Sequence, residues 1–180
     1  MLVLVVGPSG AGKDTLLAEA RQRLTGEPRI RFVRRSITRP ADAGGEDHEA
    51  VTEAEFSARD FALQWRAHNL RYGIPADISR DLALGFTVVA NVSRGVILAA
   101  AARFPVRVIE VTAPPEMLAA RLATRGRESA SDIAARLSRS APLPEGVAVA
   151  TVWNDGTLNE GAERFIQALC GPSYLGGAQK

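Results

Sequence analysis

Three glycines and a lysine carry the clearest chemistry in this chain. They fall in the run Gly7-Pro8-Ser9-Gly10-Ala11-Gly12-Lys13-Asp14-Thr15. Glycine lets a backbone turn tightly and approach an anion with no Cβ in the way. The loop N–H groups, and the start of a helix behind them, then point at phosphate oxygens. Lys13 adds a full positive charge at the β/γ position of a nucleotide. The spacing Gly-x-x-x-x-Gly-Lys is that of a phosphate-binding loop. It predicts that Gly7, Pro8, Ser9, Gly10, Ala11, Gly12, Lys13, Asp14 and Thr15 hold ATP. One residue departs from the usual loop: Asp14 stands where Ser or Thr normally meets Mg²⁺, and Thr15 follows it. Asp14 has two readings. With Thr15 it supplies the Mg²⁺ shell, or its carboxylate simply favours the helix start.

Such a loop needs a strand before it and a helix after it. Leu2 to Val6 are all apolar, as in a central parallel strand covered on both faces. Residues 13–24 read as the first helix, closed by Gly26 and Pro28. Arg31 to Arg39 reads as extended, Ala41 to His48 as turn, and Thr52 as the cap of a short helix. Residues 62–75 read as one or two strands with a turn at Asn69, and Asp77 as the cap of a helix to about Leu84. Strands at 86–91, 106–111 and 147–152 alternate with helices at 94–103, 114–125, 131–140 and 157–169. That alternation predicts an α/β fold, a parallel sheet with helices on both faces.

The helix after Pro114 carries Arg121 and Arg125, four apart and so on one face. Two guanidiniums near a triphosphate stabilise charge on a transferring phosphoryl group. Lys13, Arg121 and Arg125 are therefore the candidate catalytic residues. Trp65 and Trp153 read as packing residues rather than base-stacking ones.

With 180 residues the chain is long enough for one well-packed domain. Hydrophobic and charged contents of 46% and 23% are those of a globular protein, and a net charge of +2 gives no reason to expect nucleic acid. No run reaches the ~20 apolar residues of a membrane span. The apolar N-terminus lacks the basic region of a signal peptide. One cysteine, Cys170, excludes a disulfide framework within the chain. A cytoplasmic location is expected, and the oligomeric state, a homodimer included, stays open.

Beyond these features, Ser36-Ile37-Thr38-Arg39-Pro40, Gly45-Glu46, Val51 to Phe56, Trp65 with Tyr72-Gly73, Arg121 to Gly126 and Asn154-Asp155 resemble guanylate kinases over nearly the whole chain. Where that family reads guanine with Glu and Thr, Gln64 and Ile74 stand here, and His48 replaces a tyrosine. The acid that closes the family's middle strand is also missing, and Asn91 lies nearby. Those departures, with Asp14, resemble the ribose 1,5-bisphosphate phosphokinase family, through Gly-Pro-Ser-Gly-Ala-Gly-Lys-Asp, Ile-Thr-Arg-Pro with Gly-Glu-Asp-His-Glu, and residues 65–75. The resemblance implies a nucleoside-monophosphate-kinase-like P-loop domain over 1–180. Its core would be 1–35 and 76–170, its acceptor-binding insertion about 36–75 and its lid about 121–140. It implies transfer from ATP, with Mg²⁺, to a phosphorylated sugar. Arg35, Ser36, Thr38, Arg39, Glu46, His48, Gln64 and Tyr72 would bind that acceptor, and Asn154 would lie by the donor nucleotide. An acceptor phosphate is already anionic near neutrality, so no general base is needed. A nucleoside monophosphate kinase of altered base choice and a non-catalytic binding module are the competing readings.

Overall fold

The structure is a computed structural model, and it describes residues 1–41, 46–124 and 143–171. Strand β1 (Leu2–Val6) is fully buried at all five positions. It pairs in parallel with β7 (Thr87–Asn91) on one side and β8 (Val106–Thr112) on the other. Outside these lie β2 (Ile30–Phe32) and β9 (Ala148–Trp153), giving the order β2-β7-β1-β8-β9. Successive strand residues point to opposite faces, and β1 shows it. Val3 and Val5 pack against Leu16 and Ala20 of α1 (Lys13–Arg23), Leu118 of α5 (Pro115–Thr124), and Phe165 and Ile166 of α6 (Leu158–Cys170). Leu2, Leu4 and Val6 pack with Ile78 of α3 (Ile78–Ala83), Val96 of a 3₁₀ turn (Arg94–Val96) and Ile97 of α4 (Ile97–Ala101). The expected parallel sheet with helices on both faces is therefore present.

A second, four-stranded sheet follows β2. It comprises β3 (Ser36–Ile37), β4 (Glu49–Ala50), β5 (Phe61–Ala67) and β6 (Leu70–Pro75) in the order β4-β3-β6-β5. The turn between β5 and β6 holds His68 at φ 51° and Asn69 at φ 60°. Two consecutive positive φ values match the right-handed twist of a tight hairpin, and Asn tolerates them better than most residues. Thr52 caps α2 (Glu53–Ser57) in a reciprocal box with Glu55.

β4 falls immediately after the segment expected to be a turn, because a two-residue strand has no periodicity to read. It is fastened by side chains: the Ser36 hydroxyl donates to Glu49 at 2.7 Å and Arg59 pairs with Glu49 at 2.7 Å. The Arg59 bond, then the Ser36 bond, hold the Glu49 carboxyl below its ordinary value. A lowered folded pKa means that the folded state binds this proton less tightly than the unfolded state. The stabilisation is complete above the ordinary value of about 4.3 and fades as pH falls through the folded value. Thermal melts of Glu49→Gln should therefore lose part of the wild-type decline in acid; an unchanged acid limb would refute the latch.

Two expectations are corrected. Asp77 makes no capping bond to α3. Its carboxylate instead accepts from Arg31 at 2.9 Å, and Asp81 also pairs with Arg31, so one guanidinium ties β2 to α3. Trp153 is not packed away but 50% exposed, because β9 is the edge strand of its sheet. Trp65 does pack, against the core under the hairpin. The helix expected at 131–140 and the tail beyond Gly171 lie outside the described residues.

Candidate active site

The glycine loop leaves β1 at the carboxyl edge of the sheet and enters α1 at Lys13. Gly7 has φ 146°, and a Cβ there would fall on the backbone carbonyl of Val111 in β8. Gly12 occupies the N-cap of α1 at φ 84°, the left-handed region that glycine enters without steric penalty. The N-terminal N–H groups of α1 are thus presented beside the loop, where the helix favours anions. The Lys13 ammonium donates to the carbonyls of Gly7 at 2.8 Å and Pro8 at 2.9 Å, placing its charge inside the loop's curve.

Two elements hold the loop from behind. The Asn154 amide, only 7% exposed, donates to the Ala11 carbonyl at 2.8 Å. Asn154 follows β9, and its own N–H bonds Thr112, so the far edge of the sheet fixes the loop's back. In this arrangement Asn154 grips protein backbone. On the other side α5 lies against Gly10, whose missing Cβ would meet the Leu118 carbonyl at 3.1 Å and Leu122 at 3.2 Å. Arg121, on the same helical turns, is thereby brought to the loop, and its Nη1 is buried with no partner among the described residues. Arg121 also contributes, after the Arg164 bond, to holding the Asp155 carboxyl below its ordinary range. Arg125 lies outside the described residues.

Asp14 sits in the first turn of α1 and accepts from the Asn91 amide at 2.7 Å. Asn91 is the last residue of β7, the strand next to β1. A carboxylate on the helix thus faces an amide at the strand end. In the sequence Asn91 stands out only as a neighbour of an absent acid. Its place at the end of an apolar strand is the signal that marks it. Asp14, Thr15 and Asn91 line a cavity of about 280 Å³ together with Phe32, Glu46 and Asp47.

Through Glu46 that cavity adjoins a cluster of arginines. Arg35 is 8% exposed. Its Nε donates to Glu46 at 3.0 Å and its Nη2 bonds the other Glu46 oxygen. The same guanidinium stands 5.2 Å from the Tyr72 ring centre and 5.8 Å from that of Trp65. Those rings stack at 5.3 Å, as expected of a directly paired position on β5 and β6. Arg39 bonds the buried His48 at 3.2 Å. Ser36 is 1% exposed and donates to Glu49. The Thr38 hydroxyl accepts from the Arg71 N–H at 2.9 Å, extending the pairing of β3 with β6. Gln64 pairs with Gly73, so it projects from the opposite face of the hairpin to Trp65 and Tyr72. It is exposed, beside Ser93 and Gly95. The structure therefore groups Arg35, Glu46, Tyr72, Arg39 and His48, and sets Gln64 apart from them. The pair of Arg94 with Glu110, at 2.5 Å near the carboxyl end of the sheet, carries no signal in the sequence.

A parallel sheet whose first strand feeds a glycine loop, with a cation inside it and arginines opposite, defines a P-loop phosphotransferase. A family model described as an AAA domain matches residues 2–141. Among solved structures, a guanylate kinase from Anaplasma phagocytophilum superposes with a TM-score of 0.64, at 20% identity over 94% of this chain and 83% of that one, which speaks for the fold. The ribose 1,5-bisphosphate phosphokinase PhnN of Acidiphilium cryptum is 55% identical over 93% of this chain and 91% of its own. That of Methylobacterium radiotolerans is 49% identical over 93% of this chain and 96% of its own. The chain belongs to the ribose 1,5-bisphosphate phosphokinase family.

Proposed function

We propose that the protein transfers the γ-phosphoryl group of ATP to the 1-phosphate of ribose 1,5-bisphosphate, giving ADP and 5-phospho-α-D-ribose 1-diphosphate. The observation that carries this reading is the shared cavity. Glu46, which holds Arg35, lines it together with Asp14 and Thr15 of the loop helix. Donor and acceptor anions would meet beside it, between Lys13 on the loop side and Arg35, held by Glu46, on the other.

The acceptor oxygen is anionic near neutrality, so the residues need only bring two anions together and spread the moving charge. The loop N–H groups and Lys13 hold the donor phosphates. Arg121 and Arg125 stabilise the transferring group. Arg35, Arg39 and Tyr72 face the acceptor, with Ser36, Thr38, Glu46 and His48 around them and Gln64 on the other face of the hairpin. Asn154 completes the nucleotide side by holding the loop. Segment 36–75 forms the acceptor-binding part, about 121–140 the lid, and 1–35 with 76–170 the core of one domain. The protein acts in the cytoplasm, where ATP is supplied. Among the described residues no helix is long and apolar enough to cross a membrane.

Magnesium fits the donor set at the head of α1. One Asp14 oxygen is taken by Asn91, which leaves the other for an ion beside the exposed Thr15 hydroxyl. When bound, Mg²⁺ neutralises charge shared by the β- and γ-phosphates. Asp14→Ala should raise the Mg²⁺ concentration for half-maximal turnover about tenfold or more, the effect expected of a lost carboxylate ligand or its support. An unchanged Mg²⁺ dependence would leave Asp14 only its role at the helix start.

The test of the activity is an ATP-dependent assay with ribose 1,5-bisphosphate and GMP as parallel acceptors, followed by ³¹P NMR. A new diphosphate signal with ribose 1,5-bisphosphate alone is expected. Formation of GDP instead would return the chain to the nucleotide kinases.

A further inference from the structure

Each residue of segment 46–48 bonds an arginine, and Asp47 also meets a second, Arg21, at 3.4 Å. Glu46 bonds Arg35, Asp47 bonds Arg34 at 2.8 Å, and His48 bonds Arg39. Glu46 and Asp47 reach their arginines through carboxylates at partly exposed positions. His48 is different. It is 4% exposed, and each ring nitrogen lies within hydrogen-bond distance of Arg39, with the Glu46 carbonyl a further neighbour of Nδ1. Nε2 lies 3.2 Å from the Arg39 carbonyl and Nδ1 lies 3.2 Å from the Arg39 Nη2. A guanidinium only donates, so Nδ1 accepts from it. The ring proton then sits on Nε2, where the Arg39 carbonyl receives it. The Glu46 carbonyl, 3.0 Å from Nδ1, takes no hydrogen in this tautomer. His48 thus grips Arg39 by both its backbone and its side chain.

Arg39 itself is left with work to do. Its Nε is buried and has no partner among the described residues. A buried donor without a partner is unfavourable, and an anionic oxygen is the strongest acceptor that could meet it. A free arginine side chain would lose much rotamer entropy on meeting such an anion, whereas one already held loses little.

We propose that His48 is a positioning residue. It does not contact substrate, but fixes the Arg39 guanidinium in the orientation that receives an acceptor phosphate. The inference rests on the functional reading above and names the residue that sets acceptor affinity within it. Transfer from the loop side is untouched by His48, so its loss should appear in the acceptor KM and not in the ATP KM.

A double-mutant cycle tests this: wild type, His48→Ala, Arg39→Ala and the double variant, each assayed with ribose 1,5-bisphosphate and ATP. His48→Ala should raise the acceptor KM about tenfold with an unchanged ATP KM, and should add less than about twofold once Arg39 is gone, since residues acting as a unit are not additive. Two conservative variants separate the two bonds. Asn places an acceptor where Nδ1 stood, and Gln places a donor where Nε2 stood. His48→Asn should recover most of the affinity and His48→Gln little. Additive losses in the double variant, a parallel rise in the ATP KM, or equal behaviour of Asn and Gln would each overturn the inference. Wild-type protein that fails to turn over ribose 1,5-bisphosphate would overturn the functional reading and this inference with it; additive losses in an active enzyme would overturn this inference alone.

Discussion

Lys13→Met should lower kcat by about 10²–10³, roughly 3–4 kcal/mol of transition-state stabilisation, as for other preorganised charge stabilisers. Methionine keeps most of the unbranched stem and removes the ammonium, so packing at the helix start is preserved. What disappears is the charge that bonds the Gly7 and Pro8 carbonyls from inside the loop. Those two acceptors come from the loop itself. Lys13 therefore has a second effect in the folded chain, holding the loop's curve. Steady-state kinetics should show kcat falling further than the ATP KM rises, because the developing charge on the transferring group is greatest in the transition state. Circular dichroism should be unchanged. Turnover within tenfold of wild type would contradict a catalytic role for Lys13.

Gly7→Ala should weaken ATP binding and destabilise the fold. At φ 146° an alanine is strained before any contact is counted, and its Cβ would fall on the Val111 carbonyl. That carbonyl cannot step aside. Val111 is fully buried and sits on β8, which is paired on both sides by β1 and β9. The loop must move instead, and with it the N–H groups that face the phosphates. A strained backbone position costs on the order of 1–3 kcal/mol. Displaced donors should weaken ATP by a further tenfold or more, about the loss of one hydrogen bond to a charged group. Gly26→Ala is the control. A Cβ there meets nothing within 4 Å and the residue has no positive φ, so its melting temperature and ATP affinity should match wild type. Titration calorimetry with ATP and thermal melts read both effects. Normal affinity in Gly7→Ala would show that the loop can relocate without loss.

The guanylate kinase comparison and the chain's own pattern agree on the frame of the molecule. Leu2 to Val6 could only be an inner strand, because five consecutive apolar residues need cover on both faces, and the structure buries all five. Residues 62–75 read as one or two strands with a turn at Asn69, and the structure makes them two, paired as a hairpin. The cap at Thr52 is a local device and was legible as such, and the structure adds Glu55 as its reciprocal partner. Asp77 was misread for the complementary reason. A local cap competes with any cation the fold brings near, and Arg31, 46 residues away in sequence, wins it.

What the residues determined by themselves was the chemistry of the donor side. Glycine at fixed spacing before Lys13 has one physical use, because conformational freedom and a nearby charge are properties of residue type and order. The tertiary structure decided the partners. That Asn154 holds the back of the loop, that Asn91 faces Asp14, and that Glu46 and His48 spend themselves on Arg35 and Arg39 all depend on contacts between elements far apart in the chain or on loops without periodicity. Gln64 shows the same limit. Its residue type suggested a reader of the acceptor, but strand alternation turns it to the face away from Trp65 and Tyr72. Side-chain direction on a strand is fixed by register, and register is settled only when the strands pair.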